Sequence, residues 1–146
     1  MPKTKNNLST LGTQLKQDLK KVRVELNESV KTIARQMMLD ITDNTVIDTS
    51  KAVSNWIATL DRPNQNVIEA NALGSKGSTG GESIDITVLK ANNAINSKKI
   101  GQPIFISNNI SPDSYQTNAN LLEAEQEATD KAIIAIAKAQ VLIGKR

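Results

Sequence analysis

Aliphatic residues recur along the first 42 positions at spacings of three, four and four. The cycle is completed three times, from Leu8 through Leu11, Leu15, Leu19, Val22, Leu26, Val30, Ile33 and Met37 to Ile41. An eleven-residue repeat corresponds to about 3.67 residues per turn, so the apolar stripe stays almost fixed on one face of a nearly straight helix. At 1.5 Å per residue that stripe runs roughly 50 Å, longer than a small domain is wide. One such domain cannot cover it, and an uncovered stripe predicts another helix, from a neighbouring subunit, along part of it. Leu8, Leu11, Leu15, Leu19, Val22, Leu26 and Val30 are therefore candidate subunit contacts.

Between Val46 and Pro63 the pattern changes twice. Asp48, Thr49 and Ser50 carry short side-chain oxygens able to accept from free N–H groups at a helix start, and Asp48 or Thr49 is expected to cap a helix of one or two turns over 51–55. Trp56, Ala58 and Leu60 then alternate with Ile57, Thr59 and Asp61, a period of two that predicts a half-buried strand ended by Pro63. Trp56 is the only tryptophan. A ring of that size with a single N–H donor is expected in the core with its donor satisfied.

From Pro63 through Gly81 the chain is polar and ends in SKGSTGG, which reads as a long Gly-rich loop. No Gly-Lys-Ser/Thr and no G-x-G occurs in it, so it carries no nucleotide-binding motif. Ile84, Val88, Ala91 and Ile95 form a helical stripe, although Ile84, Ile86 and Val88 also alternate; the longer fit favours a helix. After Gly101, a second strand over Gln102 to Ser107 places Ile104 and Ile106 on one face and Phe105 on the other, closing at Asn108 and Asn109 before a turn at Ser111 to Asp113. Residues 120–143 read as a second long helix, with Glu123, Glu125, Glu127 and Asp130 in its first turns and Lys138, Lys145 and Arg146 toward its end, complementing the helix dipole. Its apolar residues, among them Ile133, Ile136 and Val141, wrap most of the way round; such a helix must be buried on all sides, which makes these three further candidate subunit contacts.

Composition changes this picture mainly by exclusion. The 146 residues suffice for one domain with its own core. Cysteine and histidine are both absent, which removes Cys/His nucleophile–base pairs, Cys/His zinc sites and disulfides together. Carboxylates such as Glu123 and Glu127 fit an acidic helix start better than acid/base chemistry, so no catalytic residue, metal ligand or cofactor is assigned and the protein is not expected to be an enzyme. With Trp56, Phe105 and Tyr115 as its only aromatics, the interior must be aliphatic and alanine-rich. The net charge of +3 arises entirely in residues 1–45, where eight Lys/Arg face five Asp/Glu; the remainder balances at ten against ten. Lys16, Lys20, Lys21 and Arg23 are thus candidates to face DNA or an acidic partner, beside the plainer alternative of a solvated helix face. The missing cysteines, together with the lack of a signal-peptide core or a membrane-length apolar run, predict a soluble protein made in a reducing cytoplasm, with no membrane partner.

The run Thr45-Val-Ile-Asp-Thr-Ser-Lys-Ala-Val-Ser-Asn-Trp56, with the strand to Leu60, resembles the tail-completion or head–tail joining family of tailed double-stranded-DNA bacteriophages. The family pattern there is roughly Pro-Val-Asp-Thr-Gly, a short helix, then Asn-Trp and a strand. Asp48, Thr49, Asn55 and Trp56 match it directly and Ile47 conservatively, while Ser50 stands in place of the glycine and Val53 in place of an arginine. A second match, GQPIFISNN over Gly101 to Asn109, is similar to a family strand ending in Ile-Thr-Asn-Asn; the Pro-Tyr after it and a later Ser-x-Gln-Ala-Pro segment are missing. The likeness covers roughly 45–110, under half of the chain. It implies structural roles for Asp48, Thr49, Asn55, Trp56, Asn108 and Asn109, with Asn55 bonding loop backbone where the helix passes into the strand.

The expected fold is a single α+β domain over 1–146: an N-terminal helix arm (1–43), a helix-strand-loop-helix-strand core with a small antiparallel sheet (44–110) and a C-terminal helix (111–146). The resemblance implies a virion subunit at the head–tail junction: a closed homo-oligomeric ring, six- or twelvefold, between the portal or an adaptor above and the tail tube or a terminator below, with DNA in its channel. The alternative function is a small basic nucleic-acid-binding protein, which would rest on the lysine and arginine excess alone.

Overall fold

The computed structural model describes residues 8–47, 49–111 and 130. Asp48 and the expected C-terminal helix, with Ile133, Ile136 and Val141, lie outside the described residues. The chain begins with α1 (Leu8–Asn44), a 37-residue helix about 55 Å long. Neither end is compensated by charge, since its first turn has no acidic and its last turn no basic residue. Thr13, Ser29 and Thr32 donate to carbonyls four residues earlier at 2.9–3.0 Å, which does little to hold a helix. Its stability must come from packing, and burial starts only at Asn27, continuing through Ala34, Met38, Asp40, Ile41 and Thr42.

Three short elements and one longer helix follow: α2 (Lys51–Ser54), β1 (Ile57–Thr59), α3 (Gly80–Asn96) and β2 (Phe105–Ser107). β1 and β2 pair antiparallel with Ile57 opposite Ser107, Ala58 opposite Ile106 and Thr59 opposite Phe105. The fold is thus mixed helix with a small two-stranded antiparallel sheet. The C-terminal half of α1 and the inner face of α3 enclose a core of Ala34, Met38, Ile41, Trp56, Ala58, Ala91 and Ile95, with Met37, Ile104 and Ile106 packed against it.

Both strands are shorter than the sequence pattern predicts. After Thr59 the chain turns, because the Thr59 hydroxyl donates to the Arg62 carbonyl at 2.6 Å. Before β2, Lys99 and Gln102 close a turn on each other: the Gln102 N–H donates to the Lys99 carbonyl and the Lys99 N–H to Gln102 Oε1, at 3.2 and 3.0 Å. Pro103 then has no N–H to offer a ladder. The helix expected to follow Gly81 starts at Gly80 instead. There the missing side chain lets the backbone lie against Ile47, whose Cδ1 would stand 3.0 Å from a Cβ. The buried row of α3 is also not the aliphatic one: Gly80, Ser83, Thr87, Ala91 and Ile95 point inward, and Ile84 and Val88 are only half-buried.

Candidate functional site

The order Thr49-Ser50-helix-Asn55-Trp56 folds into a tight structural knot. Ser50, not Asp48 or Thr49, is the residue preceding α2, and it sits at φ 63°, ψ 1° in the left-handed region. The Ser50 side chain makes no cap hydrogen bond, and Thr49 is exposed with no hydrogen bond among the described residues. The Ser50 hydroxyl turns away to Thr79 Oγ1 at 3.0 Å, and its carbonyl accepts from both the N–H and the hydroxyl of Ser54, at 3.2 and 2.7 Å. An L-residue in this conformation is strained, so the contacts made by Ser50 hold a geometry that glycine would adopt freely.

Asn55 ends α2 and is fully buried. Its amide nitrogen donates to the Lys51 and Ile68 carbonyls, and its Oδ1 accepts from the Ile68 N–H, all at 2.8 Å. The side chain therefore stands in for a neighbouring strand and pins the middle of the 60–79 connection. Trp56, 3 % exposed, donates through Nε1 to Thr45 Oγ1 at 2.9 Å, and that hydroxyl donates in turn to the Ile41 carbonyl at 2.6 Å. This relay ties the indole to the end of α1 and satisfies the polar edge of a buried ring. Asn108 and Asn109 complete the knot after β2: Asn108 Nδ2 donates to the Ala52 carbonyl at 3.0 Å while its Oδ1 accepts from the Ile110 N–H at 3.1 Å, and Asn109 Nδ2 donates to the Asn64 carbonyl at 2.5 Å. Strand pairing thus brings together two segments fifty residues apart in sequence.

Sequence reasoning missed the polar layer beneath this knot. Ser54 Oγ accepts from the Asn71 N–H at 2.8 Å, Ser83 Oγ from the Ala72 N–H at 3.1 Å, and Thr79 Oγ1 donates to the Ala72 carbonyl at 3.0 Å. Asn71 Nδ2 donates to Thr87 Oγ1 at 2.9 Å, and Lys90 Nζ to Asn71 Oδ1 at 2.6 Å. Hydroxyls on α2 and α3 thereby take up backbone groups of a connection that has no ladder of its own. The signal was present: Ser83, Thr87, Ala91 and Ile95 recur every four residues on one helix face.

On α1 the predicted stripe and the core face are not the same. Ala34 and Met38, 5 % and 0 % exposed, enter the core, whereas their predecessors Ile33 and Met37 are half-buried. One residue is about 100° of rotation, so the repeat faces beside the core over 30–37 and faces solvent before it. Leu8, Leu11, Leu15, Leu19, Val22, Leu26 and Val30 are all exposed, from 73 % at Leu8 to 37 % at Val30. Lys16, Lys20, Lys21 and Arg23 are exposed on the same helix, and none of them is in an ion pair among the described residues.

Lys98 is unusual in the opposite sense. Just past α3, it is 7 % exposed, and its ammonium donates to Asn27 Oδ1 at 2.5 Å and to the Lys99 carbonyl at 3.1 Å. Both partners are neutral. Elsewhere, Arg35 clamps Asn96 Oδ1 through Nε and Nη2 at 3.2 and 2.8 Å, and Lys31 pairs with Glu28 at 3.0 Å. The Lys31 hydrogen bond holds the exposed Glu28 carboxyl below its ordinary value. Among the described residues no three His, Cys, Asp or Glu are grouped to hold a metal ion, and no helix is long and apolar enough to cross a membrane. The chain matches no family model, no curated protein and no solved structure.

Proposed function

We propose that this protein is a non-enzymatic, ring-forming subunit of the neck of a tailed bacteriophage, a tail-completion or head–tail connector protein that joins the DNA-filled head to the tail. The observation that carries the reading is the exposed face of α1, an unbroken aliphatic row from Leu8 to Val30 on a helix that outruns the core. Rows of this length on soluble proteins mark protein contacts. Repeated head-to-tail, one rotation between copies closes a ring. Further support comes from the knot. Ser50 occupies the left-handed conformation at the place where the resembled pattern has glycine, and Asn55 and Trp56 both turn inward to scaffold roles. In this reading α1 and the apolar part of 131–143 lie at the subunit contacts. The portal or an adaptor binds on one side and the tail tube or a terminator on the other, and Lys16, Lys20, Lys21 and Arg23 face the DNA channel.

Native mass by light scattering tests the proposal. The wild-type protein, alone or on its partner ring, is expected to run as a closed oligomer. Leu19→Asp with Leu26→Asp is expected to give a folded smaller species, because charges placed in an apolar contact are costly. A subunit that is monomeric both alone and in the assembled particle overturns the ring. The exposed unpaired lysines sustain one other reading, nucleic-acid binding; a steep fall of DNA affinity with salt in the isolated subunit would favour it.

A further inference from the structure

The face of α1 that carries the repeat forms one wall of a groove, and the chain from Ile100 to Ile106 forms the other. At one end the groove is a hollow of about 290 Å³ walled by Val30, Ile33, Met37, Ile104 and Ile106. It continues past Leu26 and Pro103 into a wider space of about 610 Å³ that holds Arg23 and Lys98 and no acidic side chain. The groove is therefore polarised, apolar at the Met37 end and cationic at the Arg23 end. Lys98 sharpens this, since a buried ammonium with only amide and carbonyl partners is a costly arrangement that a carboxylate would relieve.

We propose that this groove is the seat of the chain's own C-terminal segment, with the acidic residues Glu123, Glu125 and Glu127 beside Lys98 and the aliphatic run Ile133–Ile143 against Val30, Ile33 and Met37. Three observations select this occupant. The segment has the matching order, four carboxylates followed by seven residues of mostly β-branched and aliphatic character. Arg23 to Met37 spans fourteen residues of helix, about 21 Å, and Glu127 to Val141 spans the same number. β2 ends beside the groove, and the sixteen residues from Ser111 to Glu127 reach at most about 55 Å, ample to arrive at its cationic end. The apolar residues of the segment that do not line the groove are then left for a neighbour. The inference stands whether or not the protein belongs to a phage neck.

The absence of native cysteine makes the test direct. In the full chain, Val30→Cys paired with Ile136→Cys is treated with a short bis-maleimide, with Leu11→Cys plus Ile136→Cys as the control pair. The expected product of the first pair is cross-linked within one chain, seen as faster migration without a dimer band, and the control gives none. In the single variant Val30→Cys, thiol labelling should be at least about tenfold slower than in Leu11→Cys, as for a site exposed only on opening, and Ile136→Asp should restore the fast rate. Labelling of Val30→Cys as fast as Leu11→Cys, or cross-links formed only between chains, overturns the proposal. The two single-cysteine variants lie at exposed positions, so they are expected to fold.

Discussion

The two halves of α1 carry the same repeat and meet opposite fates. From Leu8 to Leu19 every stripe residue is more than half exposed, whereas Ile41, at the far end of the same stripe, is 3 % exposed. Nothing in the helix distinguishes them. The difference is made by what arrives from elsewhere: α3, Trp56 and the 104–106 segment reach only the C-terminal half. An amphipathic pattern therefore states that a face needs covering, and the rest of the fold states where the cover comes from.

That contrast can be broken by matched substitutions, beginning with the residue that anchors the covered half. Trp56→Ala should cost about 3–5 kcal/mol in urea unfolding, since it empties a large buried site and leaves the Thr45 hydroxyl without its donor. Met38→Ala should follow at about 2–5 kcal/mol, while Leu15→Ala on the other half should stay within about 0.5 kcal/mol for the isolated subunit. Equal losses at both positions would mean that the N-terminal half is covered within the monomer. Asn55→Ala leaves the Ile68 N–H and carbonyl and the Lys51 carbonyl without their partner; about 1–3 kcal/mol should be lost, with faster hydrogen exchange over 66–72.

Ser50 gives a finer comparison. Ser50→Ala loses the hydroxyl contact with Thr79 but keeps the strained conformation and should cost about 1 kcal/mol. Ser50→Gly loses the same contact and relieves strain of about 1–2 kcal/mol, so glycine should be the more stable of the two, a reversal of the usual order. Thermal midpoints that ranked alanine above glycine would show that the left-handed geometry is not maintained in solution. The smallest effect belongs to Glu28. Its carboxyl is held below the ordinary value by Lys31, so any stabilisation is present above the unfolded-state value and is lost as pH falls through the folded one. Because the Glu28 carboxylate is exposed and screened, wild type and Glu28→Gln should differ little in midpoint at neutral pH and converge in acid or high salt.

Much of the fold was legible from period alone. A continuous eleven-residue repeat leaves no alternative to a long helix, and the alternation around Ala58 and Ile106 marks two strands, because these are local consequences of where successive side chains point. Asn55 and Trp56 were visible as a motif. Their partners were not, since Ile68 lies in a segment without periodicity and Thr45 is one of many threonines. Strand ends were misjudged where side-chain bonds at Thr59 and Gln102 turn the backbone before the pattern stops.

By itself the sequence determined that this chain builds a long one-sided helix, a small sheet around a single indole, and an interior with no cysteine or histidine chemistry. Tertiary structure decided three things that period cannot encode. It rotated the buried face of α1 by one residue from the stripe, placing Ala34 and Met38 inward and leaving Val30 and Ile33 to wall a groove. It chose the hydroxyl row Ser83–Thr87 of α3 over the aliphatic Ile84–Val88, because the unladdered connection above it needed hydrogen-bond partners more than it needed methyl groups. It put the Lys98 ammonium beside Asn27, seventy-one residues away, by folding α3 back along α1. Each depends on which distant surface is available to bury against, and spacing along a chain carries no record of that.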